Sequence, residues 1–131
     1  MNVVISVQRV HLVKNGIKKA YRRILSTNEI ASYENYLNIF QWNPNTDQQT
    51  ASLENSTLLS SFSKRLGVTT QDLLEEMKRR SNVLHWMRQQ KIRSYKEVAS
   101  IIAEYYARPK EFYQKIHLNE EAKTVAASRE I

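Results

Sequence analysis

Cysteine is absent from this chain, which excludes disulfide bridges, thiolate zinc sites and cysteine nucleophiles together. Glycine occurs only as Gly16 and Gly67, and neither stands beside a Gly-Lys-Ser/Thr triplet. A phosphate-binding loop needs several glycines so that backbone amides can converge on the phosphates, so the chain cannot cradle a nucleotide by that route. Its three histidines, His11, His85 and His117, are far apart, and none is one helical turn from another or from a glutamate placed as a metal base. No metal or cofactor site is expected. No apolar run approaches the roughly 20 residues that cross a bilayer. Met1 to Val10 is interrupted by Ser6, Gln8 and Arg9 and lacks both a basic leader and a small-residue cleavage site, so it reads as a strand.

What is present suits one domain with a modest core: 131 residues, 41% of them hydrophobic. The net charge of +7 favours acidic partners, nucleic acid or an anionic membrane face, and speaks to association, not chemistry. The chain changes character near Ser52. Residues 1–52 read as antiparallel strands, residues 53–117 as three to four helices of the same domain, and residues 118–131 as a flexible tail, an α+β pattern.

Val3–Val10 is rich in β-branched residues, Lys14-Asn15-Gly16 supplies an Asn-Gly hairpin turn, and Ile17–Leu25 returns. A third strand is expected over Glu29–Tyr33, a turn at Glu34-Asn35, and a fourth strand over Tyr36–Trp42. The turn formers Asn43-Pro44-Asn45-Thr46-Asp47 precede a short strand at Gln48–Ala51. Ser56 is placed to cap a helix carrying Leu58, Leu59, Phe62 and Leu66 and stopped by Gly67. Thr69 and Asp72 open a long helix to about Gln90, with an apolar stripe of Leu73, Met77, Leu84 and Met87 broadened by Leu74, Val83 and Trp86. Ser94-Tyr95-Lys96-Glu97 matches a capping box before a third helix whose buried face is Val98, Ile101, Ile102 and Tyr105. Pro109 starts a fourth, with Phe112, Tyr113 and Ile116 inward.

Adjacent on a helix, Glu75 and Glu76 diverge by about 100° and cannot act as a paired acid and base. Their spacing predicts ion pairs to Arg79 and Arg80 respectively, each contributing about 0.2–0.5 kcal/mol. His85, beside Trp86, reads as a partly buried, hydrogen-bonded histidine. Basic residues cluster as Lys18, Lys19, Arg22 and Arg23 on the returning strand, and as Lys78-Arg79-Arg80 and Arg88, Lys91 and Arg93 along the long helix and its exit. Only Tyr21 interleaves the strand cluster and nothing makes a phosphate-tracking stripe, so solvated or subunit-contact surface is the first reading and a nucleic-acid face the second.

The run from Asn2-Val3-Val4-Ile5 to Gln8-Arg9, the phrase Phe40-Gln41-Trp42-Asn43-Pro44-Asn45-Thr46-Asp47 and above all Glu76-Met77-Lys78-Arg79-Arg80-Ser81-Asn82-Val83-Leu84-His85-Trp86-Met87 form a recognisable series. It continues through Ile92 to Val98 and Ile101 to Pro109. From about Asn2 to Ile116 the chain resembles the C-terminal end of archaeal type II/IV secretion ATPases, the family that drives archaellum rotation and pilus assembly. Such ATPases are hexamers on the cytoplasmic membrane face that act on a membrane platform protein. Their phosphate-binding loop, magnesium-binding strand and histidine box all lie upstream of the matched part, so ATP and magnesium belong to the parent and no catalytic residue carries over. The resemblance implies a non-catalytic module for subunit packing and partner docking, cytoplasmic or peripheral at the inner membrane face. It makes Val3–Val10 the last strand of the ATPase sheet and leaves Val3, Ile5 and Val7 in need of cover. Lys78, Arg79, Arg80, Arg88 and Arg93 are the candidate partner contacts. A basic nucleic-acid-binding α+β module is the alternative, and a small enzyme has no motif behind it.

Overall fold

A computed structural model describes residues 2–117, so the expected tail at residues 118–131 lies outside the described part. The chain divides into two compact units, Met1–Thr70 and Gln71–Ile131. The first contains an antiparallel sheet in the order β1-β2-β3-β4. Its strands are β1 (Val3–Lys14), β2 (Ile17–Ser32), β3 (Asn35–Asn43) and β4 (Gln48–Ala51), followed by a 3-10 turn at Leu53–Asn55 and helix α1 (Thr57–Leu66). The fold is α+β, as the sequence pattern implies.

The β1-β2 hairpin closes on Asn15 and Gly16, with φ of 54° and 74°. Positive φ at both central residues is what a two-residue turn needs to follow the strand twist. Pairing continues unbroken from Lys14↔Ile17 through His11↔Ala20 to Val7↔Ile24. Two expected strands, Ile17–Leu25 and Glu29–Tyr33, are one. Ser26 is paired on both sides, with Ser6 and with Gln41, so the two ladders carry the polar Ser26-Thr27-Asn28 stretch across the break that its composition suggests. A register shift between Ser6 and Val7 leaves Leu25 as the extra residue of a bulge. The next turn falls at Tyr33-Glu34, one residue earlier than expected, with Glu34 at φ 59°. In the third turn the Asn43 side-chain oxygen accepts from the Asn45 amide at 2.9 Å, the local bond that makes asparagine a turn former.

Helix α1 has the expected caps. Ser56 Oγ accepts from the Leu59 amide at 3.1 Å, and Gly67 (φ 67°) ends the helix while the Val68 amide reaches back to the Ser63 carbonyl at 3.2 Å. A second cap comes from far away in sequence. Glu29, on β2 and only 5% exposed, accepts from the Ser56 hydroxyl, the Thr57 amide (2.8 Å), the Thr57 hydroxyl (3.1 Å) and the Leu58 amide (3.3 Å). Its carboxylate thus sits on the amides that α1 leaves unpaired, where the helix dipole also favours negative charge.

The described part of the second unit consists of α2 (Thr70–Gln89), α3 (Tyr95–Ala107) and a fourth helix, α4, over residues 109–117. Its core is Val83, Met87, Tyr105, Phe112 and Ile116, with Trp86 and Tyr105 edge-on to Phe112 at ring-centroid distances of 5.9 and 6.2 Å. The stripe expected on α2 is rotated. Val83 and Met87 carry the burial, while Met77 and Leu84 are exposed, because α3 and α4 pack on the Val83–Met87 side. On α3, Val98 and Ile101 pack as expected and Ile102 is exposed. Ser94 precedes α3, yet its side chain makes no capping bond; the first turn closes by the Val98 amide on the Ser94 carbonyl at 3.0 Å.

Helix α2 ends without glycine. Lys91 holds φ 57°, the Ile92 amide bonds the Met87 carbonyl at 3.0 Å, and the Lys91 amide bonds the Arg88 carbonyl at 3.1 Å. These are the two bonds of a Schellman ending, whose left-handed position glycine normally fills.

Glu29→Ala is expected to destabilise the first unit by roughly 2–3 kcal/mol, because it strands buried helix amides and removes a charge-assisted cap. Trp42 lies in the first unit and Trp86 in the second, and Trp86 Nε1 is buried without a hydrogen-bond partner among the described residues. In a Trp86→Phe background, Trp42 fluorescence during urea unfolding therefore reads the first unit alone, and an unchanged midpoint for Glu29→Ala would remove the cap from this account.

Candidate functional site

Asp47 and Glu76 engage most of the ion-paired cations among the described residues. Asp47, at φ 52° in the β3-β4 turn, accepts from Arg23 Nε and Nη2 at 2.7 and 2.8 Å and from Trp42 Nε1 at 2.8 Å. Lys14 Nζ is 2.8 Å from its second oxygen. Arg23 and Lys14 also flank Tyr21, at 4.9 and 5.1 Å from the ring centroid. The Arg23 hydrogen bonds, then those of Lys14 and Trp42, hold the Asp47 carboxyl well below the usual carboxylate range, and the same contact raises the Arg23 guanidinium. Glu29 is also lowered: burial pushes it up, and the hydrogen bonds from Ser56, Leu58 and Thr57 outweigh that.

Glu76 plays this part in the second unit. It pairs with Arg80 at 2.9 Å, as expected, and with Arg79 at 3.0 Å. The expected Glu75–Arg79 pair does not form, because Arg79 turns to Glu76 while Glu75 accepts from Gln71 at 3.3 Å. Tyr105 donates its hydroxyl to Glu76 at 2.8 Å, tying α3 to α2. Burial would raise Glu76, but the bonds from Arg80, Tyr105 and Arg79 prevail and its pKa is lowered; burial, then the bond to Glu76, pushes Tyr105 up.

Of the five candidate contacts, Arg79 and Arg80 are therefore engaged by Glu76, whereas Lys78, Arg88 and Arg93 have no ion-pair partner among the described residues. Arg80 also lies 5.2 Å from the Tyr106 ring centroid, at one end of a depression of about 170 Å³. Val83, Met87 and Tyr105 form its floor, and Leu84, Ile102 and Tyr106 its walls. A second depression, of about 270 Å³, shares Leu84 and Met87 and is lined further along by Arg88, Lys91 and Arg93 with Ile92 and Val98. Together they make one groove along α2 and α3. Its middle is apolar, with Leu84 58% and Tyr106 65% exposed, and its charged lining residues are Arg80, Arg88, Lys91 and Arg93, all cations. Lys78 does not line it. Lys91 was legible in the sequence as part of the basic cluster; the apolar middle was not, because helical periodicity placed Leu84 in the core.

The histidines are not joined into a metal centre. His85 is exposed, not half-buried as expected, since α2 turns it away from the Val83–Met87 face. It shares a shallow depression with His117, Asn82, Tyr113 and Ile116, and His11 lies on β1. Among the described residues no group of three or more His, Cys, Asp or Glu side chains could hold a metal ion, and no helix is long and apolar enough to cross a membrane.

The second unit is a small helical one, joined in sequence to a sheet whose first three strands precede residue 46. Residues 46–130 match the family model described as PilB3-like, C-terminal, and the chain belongs to that family, the C-terminal module of PilB-type secretion and pilus ATPases. Comparison with curated proteins gives no match.

Glu29, Asp47 and Glu76 all have folded-state pKa values below their ordinary ones. Each binds fewer protons folded than unfolded near its unfolded pKa of about 4, so its stabilisation is complete above that pH and is lost as pH falls through the folded value. The urea midpoint should hold between pH 7 and 5 and fall steeply from about pH 4.5 downward. Glu76→Gln should flatten the part of that fall seen by Trp86 fluorescence; a midpoint independent of pH down to pH 3 contradicts the assignment.

Proposed function

We propose that this chain is a non-catalytic C-terminal module that completes the subunit packing of a hexameric type II/IV secretion ATPase and docks a partner. The observation that carries the packing role is strand β1. It lies at the sheet edge with its outer side unpaired in the described structure, and its alternate residues Val3, Ile5, Val7 and Val13 are exposed, Val7 at 60%. Val7 faces Ile24 across the hairpin, and Ile24 is exposed too, so the apolar face spans two strands. A long edge strand with an apolar face favours a further strand or a covering surface. The remainder of the ATPase sheet, in the same or a neighbouring subunit, supplies both.

The absence of turnover in this module rests on the use of its glycines. Gly16 closes the hairpin and Gly67 caps α1, which leaves neither for a phosphate loop. ATP and magnesium belong to the parent enzyme. The partner we propose for the basic second unit is the membrane platform protein of an archaellum or pilus system, placing the module at the cytoplasmic membrane face. The capture of Arg23, Lys14, Arg79 and Arg80 by carboxylates disfavours the nucleic-acid reading, because it thins the cations that would track phosphates.

Purified chain should self-associate through β1. Light scattering is expected to give a dimer or larger particle for the unaltered chain and a monomer for Val7→Lys, whose circular dichroism should be unchanged because Val7 is exposed. A strictly monomeric unaltered chain counts against the packing role, and steady ATP hydrolysis by contaminant-free protein counts against the non-catalytic one.

A further inference from the structure

The groove between α2 and α3 combines features that point to one kind of occupant. Its apolar walls, Leu84, Ile102 (41% exposed) and Tyr106, stand in the open, whereas side chains of this type are ordinarily buried against a neighbouring element. Along α2 the positions Arg80, Leu84 and Met87 follow helical spacing, and with Lys91 just past the helix end they mark a stripe of about three helical turns, roughly 16 Å at 1.5 Å per residue. Among the described residues, unpaired cations stand at one end, Arg88, Lys91 and Arg93, while Arg80 at the other is held by Glu76, and no acidic side chain lines the groove. Lys91 reinforces this reading, since it keeps a cation at a left-handed position where glycine would relieve the backbone.

We propose that this groove seats an amphipathic helix of a partner protein, about three turns long, with its apolar stripe on Leu84, Ile102 and Tyr106 and acidic residues against the Arg88-Lys91-Arg93 end. The proposal rests on the docking role given above and names the chemistry of the segment that fills it. A helix laid in a groove recognises by apolar anchors spaced one turn apart, and complementary charge at the rim fixes its direction and speeds encounter. A second copy of this chain joined groove to groove is disfavoured, because it would bring two Arg88-Lys91-Arg93 clusters onto one interface on a molecule already at +7. Nucleic acid is disfavoured by the apolar middle, which interrupts any run of phosphate contacts.

The test is fluorescence anisotropy with the full chain and two labelled peptides of about 15 residues. The first carries leucines at helical a and d spacing with flanking glutamates; the second has each glutamate replaced by lysine. The glutamate peptide is expected to bind at least about tenfold more tightly than the lysine peptide, and less tightly as salt rises. Arg88→Glu/Arg93→Glu should weaken the glutamate peptide about tenfold and strengthen the lysine peptide. Leu84→Asp should weaken both, with the helical circular dichroism kept because Leu84 is exposed. Equal binding of the two peptides overturns the proposal, as does glutamate-peptide binding indifferent to these variants, displacement of that peptide by duplex DNA, or loss of self-association in Leu84→Asp. The Val7→Lys chain separates the two readings: peptide recognition should survive in it whether or not the packing role of β1 is correct.

Discussion

Apolar cover over the sheet is the scarce quantity in this structure. Among the described residues of the first unit only Ile39 and Trp42 are buried hydrophobic side chains, while β1 and β2 leave Ile5, Val7, Val13, Ile17 and Ile24 in the open. Sheets of three or more strands become stable when one face packs against another layer. Here α1 provides part of that layer and is fastened to the sheet through Glu29, a buried carboxylate satisfied by the helix's own first amides. That fastening, together with an apolar edge strand whose outer side is unpaired among the described residues, is what supports the packing role proposed above.

Carboxylates also sort the basic residues into structural and available ones. Asp47 gathers Lys14 and Arg23 around Tyr21 and Trp42, so the basic returning strand is partly a device for holding a turn against a hairpin. Glu76 does the same for Arg79 and Arg80, and Tyr105 makes that contact part of the helix packing. The cations left over at the exit of α2 surround an apolar groove, and this residue of charge has consequences for association that the total of +7 does not by itself specify.

Local chemistry was legible in the sequence, and distant partners were not. Asn15-Gly16, Ser56 and Gly67 could be read because each acts within a few residues, through positive φ or a side-chain cap. Ser94-Glu97 matched its motif equally well and yet Ser94 makes no such bond, so a capping pattern identifies the start of the helix without fixing the side chain. The joining of two expected strands into β2 came from pairing on both sides, which composition does not encode. Leu84 was assigned inward because α2 carries apolar residues around much of its girth, and only the positions of α3 and α4 select Val83 and Met87. Asp47 read as a turn former and Glu29 as a strand residue; their roles depend on Arg23 and Thr57, far off in the chain. Candidate contacts Arg88 and Arg93 were legible as charge, and the groove they border was not.

Amide hydrogen exchange along β1, followed as a function of protein concentration, tests the incompleteness of the sheet most directly. If that strand is made to be covered, its outward-facing amides will exchange quickly in dilute solution and become protected as concentration rises, while amides bonded to β2 stay protected throughout. Outward amides that exchange equally fast at every concentration, in a chain that remains folded, would mean that the sheet is complete as it stands.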